Sequence, residues 1–290
     1  MAEITVMGTT GLLGIIGYPV EHSLSPAMQN AAIAHLKANY IYLPFPVVPD
    51  QLTQALQGLD AIGVRGFNVT IPHKQAVIPL LTSVSDVART IGAVNTVYRE
   101  GAGWYGTNTD IVGFLAPLEA YPGWTEGATV VLGHGGAARA VVAGCAQKSC
   151  QQVQVVGRNA EKLQQFFASW ENSPLQPNLT VHSWDQLPHL LPSARLIVNT
   201  TPVGMHPHVQ ASPLTDEQWL QVSTQCIAYD LIYIPSPTLF LQQAQKRGAI
   251  AIDGREMLVQ QGAAALERWL QTEAPVTVMR MALNQKLSDR

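Results

Sequence analysis

Lys74 and Asp110 are charged residues that stand where each can take part in proton transfer. The stretch GFNVTIPHK, residues 66–74, predicts a short strand followed by a helix with Pro72 as its first residue. Lys74 then lies in the opening turn, where unpaired N–H groups create a positive potential that favours the neutral amine. Asp110, within GWYGTNTDIVGF, opens a second predicted helix, where a carboxylate is stabilised. Such a pair beside a cofactor can deliver or remove a hydroxyl proton, although a surface lysine and a helix-capping aspartate fit the same residues.

A glycine-rich turn predicts a dinucleotide site. VVLGHGGAARA places Gly133, Gly135 and Ala138 in a G-x-G-x-x-A pattern between a predicted strand and a predicted helix. The first glycine permits the tight turn, the second lets the backbone approach a pyrophosphate, and the third small residue lets helix and strand pack closely. An ordinary tight turn is the alternative. The predicted phosphate-binding residues are Gly133, His134, Gly135, Gly136 and Ala137.

The next predicted strand indicates which dinucleotide binds. NAD sites usually carry an acidic residue about 20 residues after the glycines, where it holds the ribose 2′-hydroxyl. This chain has VVGRNAEK instead, with Arg158, Asn159 and Lys162 near the strand end. Glu161 lies in the following helix, where a surface position accounts for it. We therefore predict NADP, with the two cations facing its 2′-phosphate; ordinary solvated charges are the alternative.

The elements around these residues predict a parallel sheet. Apolar strands alternate with helices from residue 128 onward, which is typical of a doubly wound α/β domain. The predicted strands are residues 128–133, 152–157, 179–184, 194–201, 226–233 and 249–254, and the predicted helices are 136–147, 159–170 and 237–248. Residues 1–112 also mix strands and helices, and two helical stretches follow Gly254.

Composition excludes several classes of partner. The chain has 290 residues, of which 47% are hydrophobic and 13% charged, and its net charge of −3 gives no reason to expect nucleic acid or a membrane surface as partner. No apolar run reaches the roughly 18 to 20 residues that span a bilayer. Cys145, Cys150 and Cys226 form no CxxC pair, which is typical of reduced, buried thiols in a cytoplasmic protein. The HPH at 206–208 lacks nearby ligands, so we expect no metal.

Eight motifs occur in order over about 250 residues: GYPVEHSLSPAMQN, GFNVTIPHK, IGAVNTV, GTNTDIVGF, GHGGAARA, NTTPVGM, YDLIYIP and DGREMLVQQ. Together they resemble the shikimate dehydrogenases, NADP-dependent enzymes of aromatic amino-acid biosynthesis. The resemblance implies the reversible reduction of 3-dehydroshikimate to shikimate with NADPH. It also implies that Lys74 and Asp110 are the catalytic pair.

The resemblance further implies a set of substrate contacts. These are Ser23 and Ser25 to the substrate carboxylate, Thr70, Asn95 and Asp110 to ring hydroxyls, and Tyr233 and Gln261 nearby. Because SLSP precedes a predicted helix, Ser25 also fits a simple helix cap. Gln261 requires the last helices to return to the first domain, and its neighbour Gln260 is the alternative register.

Further cofactor residues follow from the same resemblance. Leu231 and Gly254 match positions that line the nicotinamide, Thr201 and Val203 lie at a strand end where ligands bind, and Asp86 fits a cofactor contact or plain surface charge equally. The chain departs from the commoner pattern at three positions. His134 replaces alanine, while Gly157 and Asn159 replace Asn and Thr beside Arg158, which removes side-chain donors near the 2′-phosphate.

We therefore predict two α/β domains with a cleft between them. Residues 1–112 plus 254–290 form the substrate-binding, catalytic domain, and residues 113–253 form a doubly wound Rossmann-type NADP domain. The expected partner is a small-molecule substrate, and the expected assembly is a monomer or homodimer. Three alternatives stay open: a quinate/shikimate dehydrogenase that uses NAD, a methylenetetrahydrofolate dehydrogenase, and a cofactor-sensing protein without turnover. The SLSP and NTD motifs do not fit the second, and the presence of Lys74 and Asp110 disfavours the third.

Overall fold

The structure, a computed structural model, describes residues 5–289. The chain divides into two compact units, one formed by residues up to Gly113 and from Leu258 onward, the other by Phe114–Met257. These boundaries lie one and four residues beyond the predicted ends at 112 and 253. None of the helices within 5–289 has the length and apolar character needed to cross a membrane.

The elements follow one another in the α/β order that the sequence predicts. The strands are Gly11–Gly17 (β1), Tyr40–Pro46 (β2), Gly66–Val69 (β3), Ser83–Val84 (β4), Thr96–Glu100 (β5), Gly103–Thr107 (β6), Ala128–Leu132 (β7), Gln152–Gly157 (β8), Leu179–Ser183 (β9), Ala194–Asn199 (β10), Ile227–Asp230 (β11) and Ile250–Ile252 (β12). The helices are Ser25–His35 (α1), Leu52–Ala61 (α2), His73–Ala76 (α3), Asp86–Ile91 (α4), Asp110–Leu115 (α5), Gly136–Gln147 (α6), Ala160–Ala168 (α7), Leu187–Leu190 (α8), Asp216–Trp219 (α9), Leu239–Lys246 (α10), Arg255–Leu270 (α11) and Val276–Ser288 (α12).

The first unit contains a mixed sheet in the order β2-β1-β3-β5-β6-β4. β1 pairs in parallel with β2 and β3, whereas β5 is antiparallel to both β3 and β6. Every residue of β3 is buried, and apolar side chains on one face join a core that includes Ile16, Phe67, Val69, Val97 and Trp104. The last helix belongs to this unit, because α12 packs against α1.

The second unit contains a wholly parallel sheet in the order β12-β11-β10-β7-β8-β9. Counted from β7, this is the 3-2-1-4-5-6 order of the doubly wound dinucleotide-binding fold, so the predicted fold class is confirmed. β7 reads ATVVL and is buried along its whole length, as expected for a central strand that helices cover on both faces.

Several predicted boundaries were wrong by one or more residues. Pro72 is the N-cap of α3 rather than its first residue, because the turn starts with the hydrogen bond from the His73 N–H to the Thr70 carbonyl at 2.9 Å. Ser25 is the first residue of α1, whose N-cap is Leu24, and so the prediction of Ser25 as a simple cap is wrong. The strand predicted over 226–233 stops at Asp230, ahead of the prolines that interrupt ladder hydrogen bonding.

Candidate active site

Lys74 and Asp110 are in direct contact in the first unit. The Lys74 Nζ donates to Asp110 Oδ2 at 2.6 Å, and the two side chains are 21% and 8% exposed. Since α3 has only four residues, the helix-start potential on which the sequence argument relied comes from a single turn. The aspartate is therefore the principal electrostatic partner of the lysine. The catalytic roles of the two residues stay predictions.

The topology of the first sheet brings Thr70, Asn95 and Asp110 to the same end of its strands. β1 and β3 run in parallel and end beside each other, at Gly17 and Val69, and Thr70 follows directly. β5 runs the opposite way, so Asn95 precedes its first residue at that same edge, and β6 reverses again to deliver Asp110 there. Parallel strands present their carboxyl ends at one side of a sheet, where loops gather functional groups.

A buried hydrogen-bond network fixes the position of Asp110. Asn95 Nδ2 donates to Asp110 Oδ1 at 2.8 Å, while Asn95 Oδ1 accepts from the Thr109 N–H at 2.8 Å and from the Thr96 hydroxyl at 2.9 Å. The network continues from Thr96 through Asn68 to the Tyr42 hydroxyl, which donates to Asn68 Oδ1 at 2.7 Å. Complete burial raises the pKa of Tyr42, so its hydroxyl stays protonated and remains a donor.

Other predicted substrate residues of the first unit keep polar groups available. The hydroxyls of Ser25 and Thr70 hydrogen-bond to no other residue within 5–289, and Ser23 Oγ accepts only the Ser25 N–H, at 3.3 Å. Gln261 lies beside Asn95, whose Nδ2 is 3.5 Å from Gln261 Oε1. Gln261 is thus placed against Asn95, and its contact with the substrate stays a prediction.

The glycine loop of the second unit leaves space and donors for phosphate. Gly133 has φ +103°, and a Cβ there would lie 2.8 Å from Thr200 Oγ1, so only glycine fits. A Cβ at Gly135 or Gly136 would meet nothing within 4 Å. No side chain caps the start of α6, which leaves the first N–H groups of a 12-residue helix free to bind an anion. The loop, including His134 and Ala137, therefore fits a dinucleotide pyrophosphate.

The loops after β10 and β11 are tied together by buried polar groups. Asn199 Oδ1 accepts the Thr201 N–H at 3.0 Å and its hydroxyl at 2.7 Å, and Asn199 Nδ2 donates to Asp230 Oδ1 at 3.0 Å. Asn199 Nδ2 also reaches the Val203 carbonyl at 3.2 Å. Asp230 in turn accepts the Thr238 hydroxyl at 2.7 Å and the Ile232 N–H at 3.1 Å. This cluster fixes the backbone on which predicted cofactor contacts lie.

Gly254 has a structural reason to be glycine. Its Cβ would come within 2.2 Å of the Leu231 carbonyl oxygen, and its N–H donates to the Ile232 carbonyl at 3.1 Å. The loops after β11 and β12 are therefore in backbone contact, and Leu231 and Gly254 are neighbours; that they line the nicotinamide stays a prediction. Tyr233 lies on the same loop and is half-buried.

The Asp230 carboxyl makes the stability of the second unit depend on pH. Its pKa is raised from 3.8 to about 6, because the raising effect of burial is larger than the lowering effect of its hydrogen bonds. The folded chain binds this proton more tightly than the unfolded chain, so the contribution is full below pH 4 and is lost as pH rises through 6. Asparagine stays neutral at every pH. We therefore expect the free energy of unfolding of Asp230→Asn, relative to that of the parent chain, to be about 2 to 3 kcal/mol higher above pH 6 than below pH 4.

Urea unfolding at pH 4.5 and pH 7.5, followed by fluorescence, measures this difference. The matched control is Asp185→Asn, because Asp185 is exposed and hydrogen bonds from Ser183 and Gln186 lower its pKa. A difference between Asp230→Asn and the parent that is the same at both pH values would contradict the assignment.

The end of β8 carries the residues predicted to bind the ribose end of the cofactor. Arg158 and Lys162 are exposed, and Asn159 is the N-cap of α7, where its Oδ1 accepts the Lys162 N–H at 2.9 Å. The Asn159 amide therefore retains only its NH₂ group for a ligand. Asp86 lies on α4 in the first unit, where it is 93% exposed and paired with Arg89 at 2.9 Å, and its role as a cofactor contact stays a prediction.

Sequence reasoning missed the buried polar residues that support both sites. They are Tyr42, Asn68, Thr96 and Thr109 in the first unit and Asn199, Asp230 and Thr238 in the second. The available signal was a polar residue within a buried apolar strand, such as Asn68 in GFNV or Asn199 in LIVN. Such a residue needs a partner, and the partner is often the functional site.

A parallel sheet with a glycine loop at its switch point, together with a Lys–Asp pair on a second α/β unit, defines a dinucleotide-dependent dehydrogenase. Family models agree with this class. Residues 15–97 match the shikimate dehydrogenase substrate binding domain, and residues 254–283 match the shikimate 5′-dehydrogenase C-terminal domain.

Similar proteins identify the family over the whole chain. A curated shikimate dehydrogenase (NADP(+)) from Trichormus variabilis is 60% identical over 285 residues, which are 97% of this chain and 99% of the relative. The crystal structure of shikimate 5-dehydrogenase from Thermus thermophilus in complex with NADP(H) and shikimate has a TM-score of 0.83 and 32% identity, covering 95% of this chain and 99% of that one. A quinate dehydrogenase from Corynebacterium glutamicum in complex with NAD has a TM-score of 0.87 and 28% identity, with 95% and 99% covered. The chain belongs to the shikimate dehydrogenase family.

Proposed function

We infer that the chain catalyses the reversible reduction of 3-dehydroshikimate to shikimate with NADPH. The observation that carries this inference is the Lys74–Asp110 ion pair, held at 2.6 Å at a sheet edge where unpaired hydroxyls gather. The 60% identity to an NADP-dependent shikimate dehydrogenase over 97% of the chain supports the same reaction. We propose that the enzyme works in the cytoplasm, where its buried thiols stay reduced, as a monomer or homodimer.

Lys74 acts as the acid in the reductive direction. Its ammonium donates a proton, directly or through water, to the oxygen that becomes negative as the C3 carbonyl is reduced. In the oxidative direction the amine takes that proton back. Asp110 holds the ammonium in place through Oδ2, and Asn95 holds Asp110 through Oδ1, so the lysine remains aimed at one point.

The polyol substrate is oriented by hydroxyl and amide groups of the first unit. Ser23 and Ser25 lie at the start of α1, where their hydroxyls and the helix N–H groups suit a carboxylate. Thr70, with its hydroxyl free of protein partners within 5–289, and Gln261 contact the ring hydroxyls together with Asn95 and Asp110. Tyr233 completes the set as a proposed contact from the second unit.

NADPH, when bound, supplies the hydride, and residues of the second unit bind the NADPH. The N–H groups of the Gly133–Ala137 loop bind the pyrophosphate, and Arg158, Asn159 and Lys162 face the 2′-phosphate. Thr201, Val203, Leu231 and Gly254 belong to the loops that line the nicotinamide, and the Asn199–Asp230 hydrogen bond at 3.0 Å keeps two of those loops in place. Asp86, which is paired with Arg89, is the remaining proposed cofactor contact, and plain surface charge accounts for it equally.

Initial rates with shikimate and quinate, each with NADP and NAD, test the proposal. We expect strong reduced-cofactor formation with shikimate and NADP and little with the other pairs. Comparable rates with quinate or NAD would instead favour a quinate/shikimate dehydrogenase. The similarity to a quinate dehydrogenase in complex with NAD is the observation that supports this alternative. NADP binding without turnover of either acid would favour a cofactor-sensing protein.

A further inference from the structure

His134 occupies the space that a side chain at position 157 would need. A Cβ built on Gly157 would lie 2.5 Å from His134 Cδ2, closer than real Cβ contacts, and 3.0 Å from Leu163 Cδ2, tighter than most of them. Gly157 is itself buried, and Leu163 is held in the core at 3% exposure. The imidazole therefore packs against the last residue of β8, and the two departures from the commoner family pattern belong together.

The end of β8 is the part of this fold that reads the ribose 2′ substituent. Gly157 offers no side chain there, and Asn159, whose Oδ1 caps α7, offers only its NH₂ group. His134 is half-buried, and no residue within 5–289 hydrogen-bonds to its ring. An imidazole is a hydrogen-bond donor at one ring nitrogen when neutral and at both when protonated. The ring thus brings a free donor to the strand end that Arg158 follows.

We propose that His134 supplies the side-chain contact to the 2′-phosphate of NADP that residue 157 cannot make, so that it selects NADP over NAD together with Arg158. This inference rests on the proposed function, because it takes NADP as the ligand of the glycine loop. Glycine at position 157 matches this arrangement, because a larger side chain there would have to displace the imidazole. The donor therefore comes from the phosphate-binding loop rather than from β8.

Fluorescence titration of NADPH and NADH, without substrate, tests this assignment. The variants are His134→Ala, Gly157→Asn and the double variant, with the exposed His189→Ala in the same unit as a matched control. A hydrogen bond to a charged group is worth about a factor of 10 or more in affinity, so His134→Ala should weaken NADPH binding about tenfold and NADH binding much less. His189→Ala should change neither.

The effect of Gly157→Asn should reverse between the two backgrounds. With His134 present, asparagine displaces the ring and weakens NADPH binding. In the His134→Ala background the clash with the ring is gone, and only Leu163 must shift by a few tenths of an ångström to admit the asparagine. Its amide then restores a donor, so the double variant should bind NADPH more tightly than His134→Ala alone. Melting temperatures without nucleotide check that each variant is folded.

Two results would overturn the proposal: unchanged NADPH affinity in His134→Ala, or equal losses for NADPH and NADH. The same effect of Gly157→Asn in both backgrounds would also overturn it. If the parent chain binds NADPH but does not turn over shikimate, only the proposed function fails. If the parent binds neither nucleotide, both fail.

Discussion

Lys74→Ala is expected to lower kcat by roughly 10²- to 10⁴-fold, the usual worth of one acid–base group. The substitution removes the proton donor and leaves Asp110, 8% exposed, with the Asn95 amide but without its cation. Substrate affinity should change much less, because the groups proposed to contact the carboxylate and ring hydroxyls remain. Steady-state rates in both directions, measured with saturating NADP or NADPH, give the comparison.

Two further variants separate proton transfer from charge. Lys74→Arg keeps a cation beside Asp110, but a guanidinium does not release its proton near neutral pH, so it should lose nearly as much kcat as alanine. Lys148→Ala, an exposed lysine at the end of α6, should leave kcat unchanged. A Lys74→Ala enzyme with near-parental kcat would refute the acid–base role, and thermal melting shows whether any loss reflects unfolding.

Arg158→Ala is expected to weaken NADPH binding by about 10- to 100-fold while NADH binding changes little. Only NADPH carries the 2′-phosphate, and charge-assisted hydrogen bonds to such a group are among the strong ones. Arg158 is exposed at the end of β8, so its removal leaves no buried cavity and the fold should be unaffected. Dissociation constants for both nucleotides decide the matter.

Arg195→Ala is the matched control for this experiment. Arg158 follows the carboxyl end of β8, whereas Arg195 lies near the amino-terminal end of β10 in the same parallel sheet and donates to Gln225 at 2.8 Å. Its removal should affect neither nucleotide. Equal losses of NADPH and NADH in Arg158→Ala would mean that Arg158 supports the structure rather than reading the phosphate.

The parallel sheet was predictable because its strands carry a strong local signal. The runs that form β7 and β8 are apolar and β-branched, and the turn between β7 and α6 has the glycines that its backbone requires. The predicted helix over 136–147 matches α6, since its start follows the glycine loop and its small residues repeat along the whole segment.

The supporting networks were not predictable, because their partners are far apart in sequence. Asn95 reaches Gln261 across 166 residues, and Tyr42 reaches Asn68 across 26. No local pattern states which distant group satisfies a buried amide. The packing of His134 against Gly157 is similar: both departures were visible in the sequence, but only the structure places the ring over the glycine.

The first unit is built from two stretches of chain that are separated by the whole of the second. α1 packs against α12, and Gln29 Nε2 donates to the Gly262 carbonyl at 2.9 Å. During synthesis the ribosome therefore finishes Phe114–Met257 before α12 and Gly262, the C-terminal partners of α1, exist. At about 5 to 20 residues per second, the stretch from Leu258 onward takes roughly 2 to 7 seconds more. The nucleotide unit can thus fold on the nascent chain while the surface of α1 that α12 will bury is still exposed. The substrate unit is therefore the last to be completed.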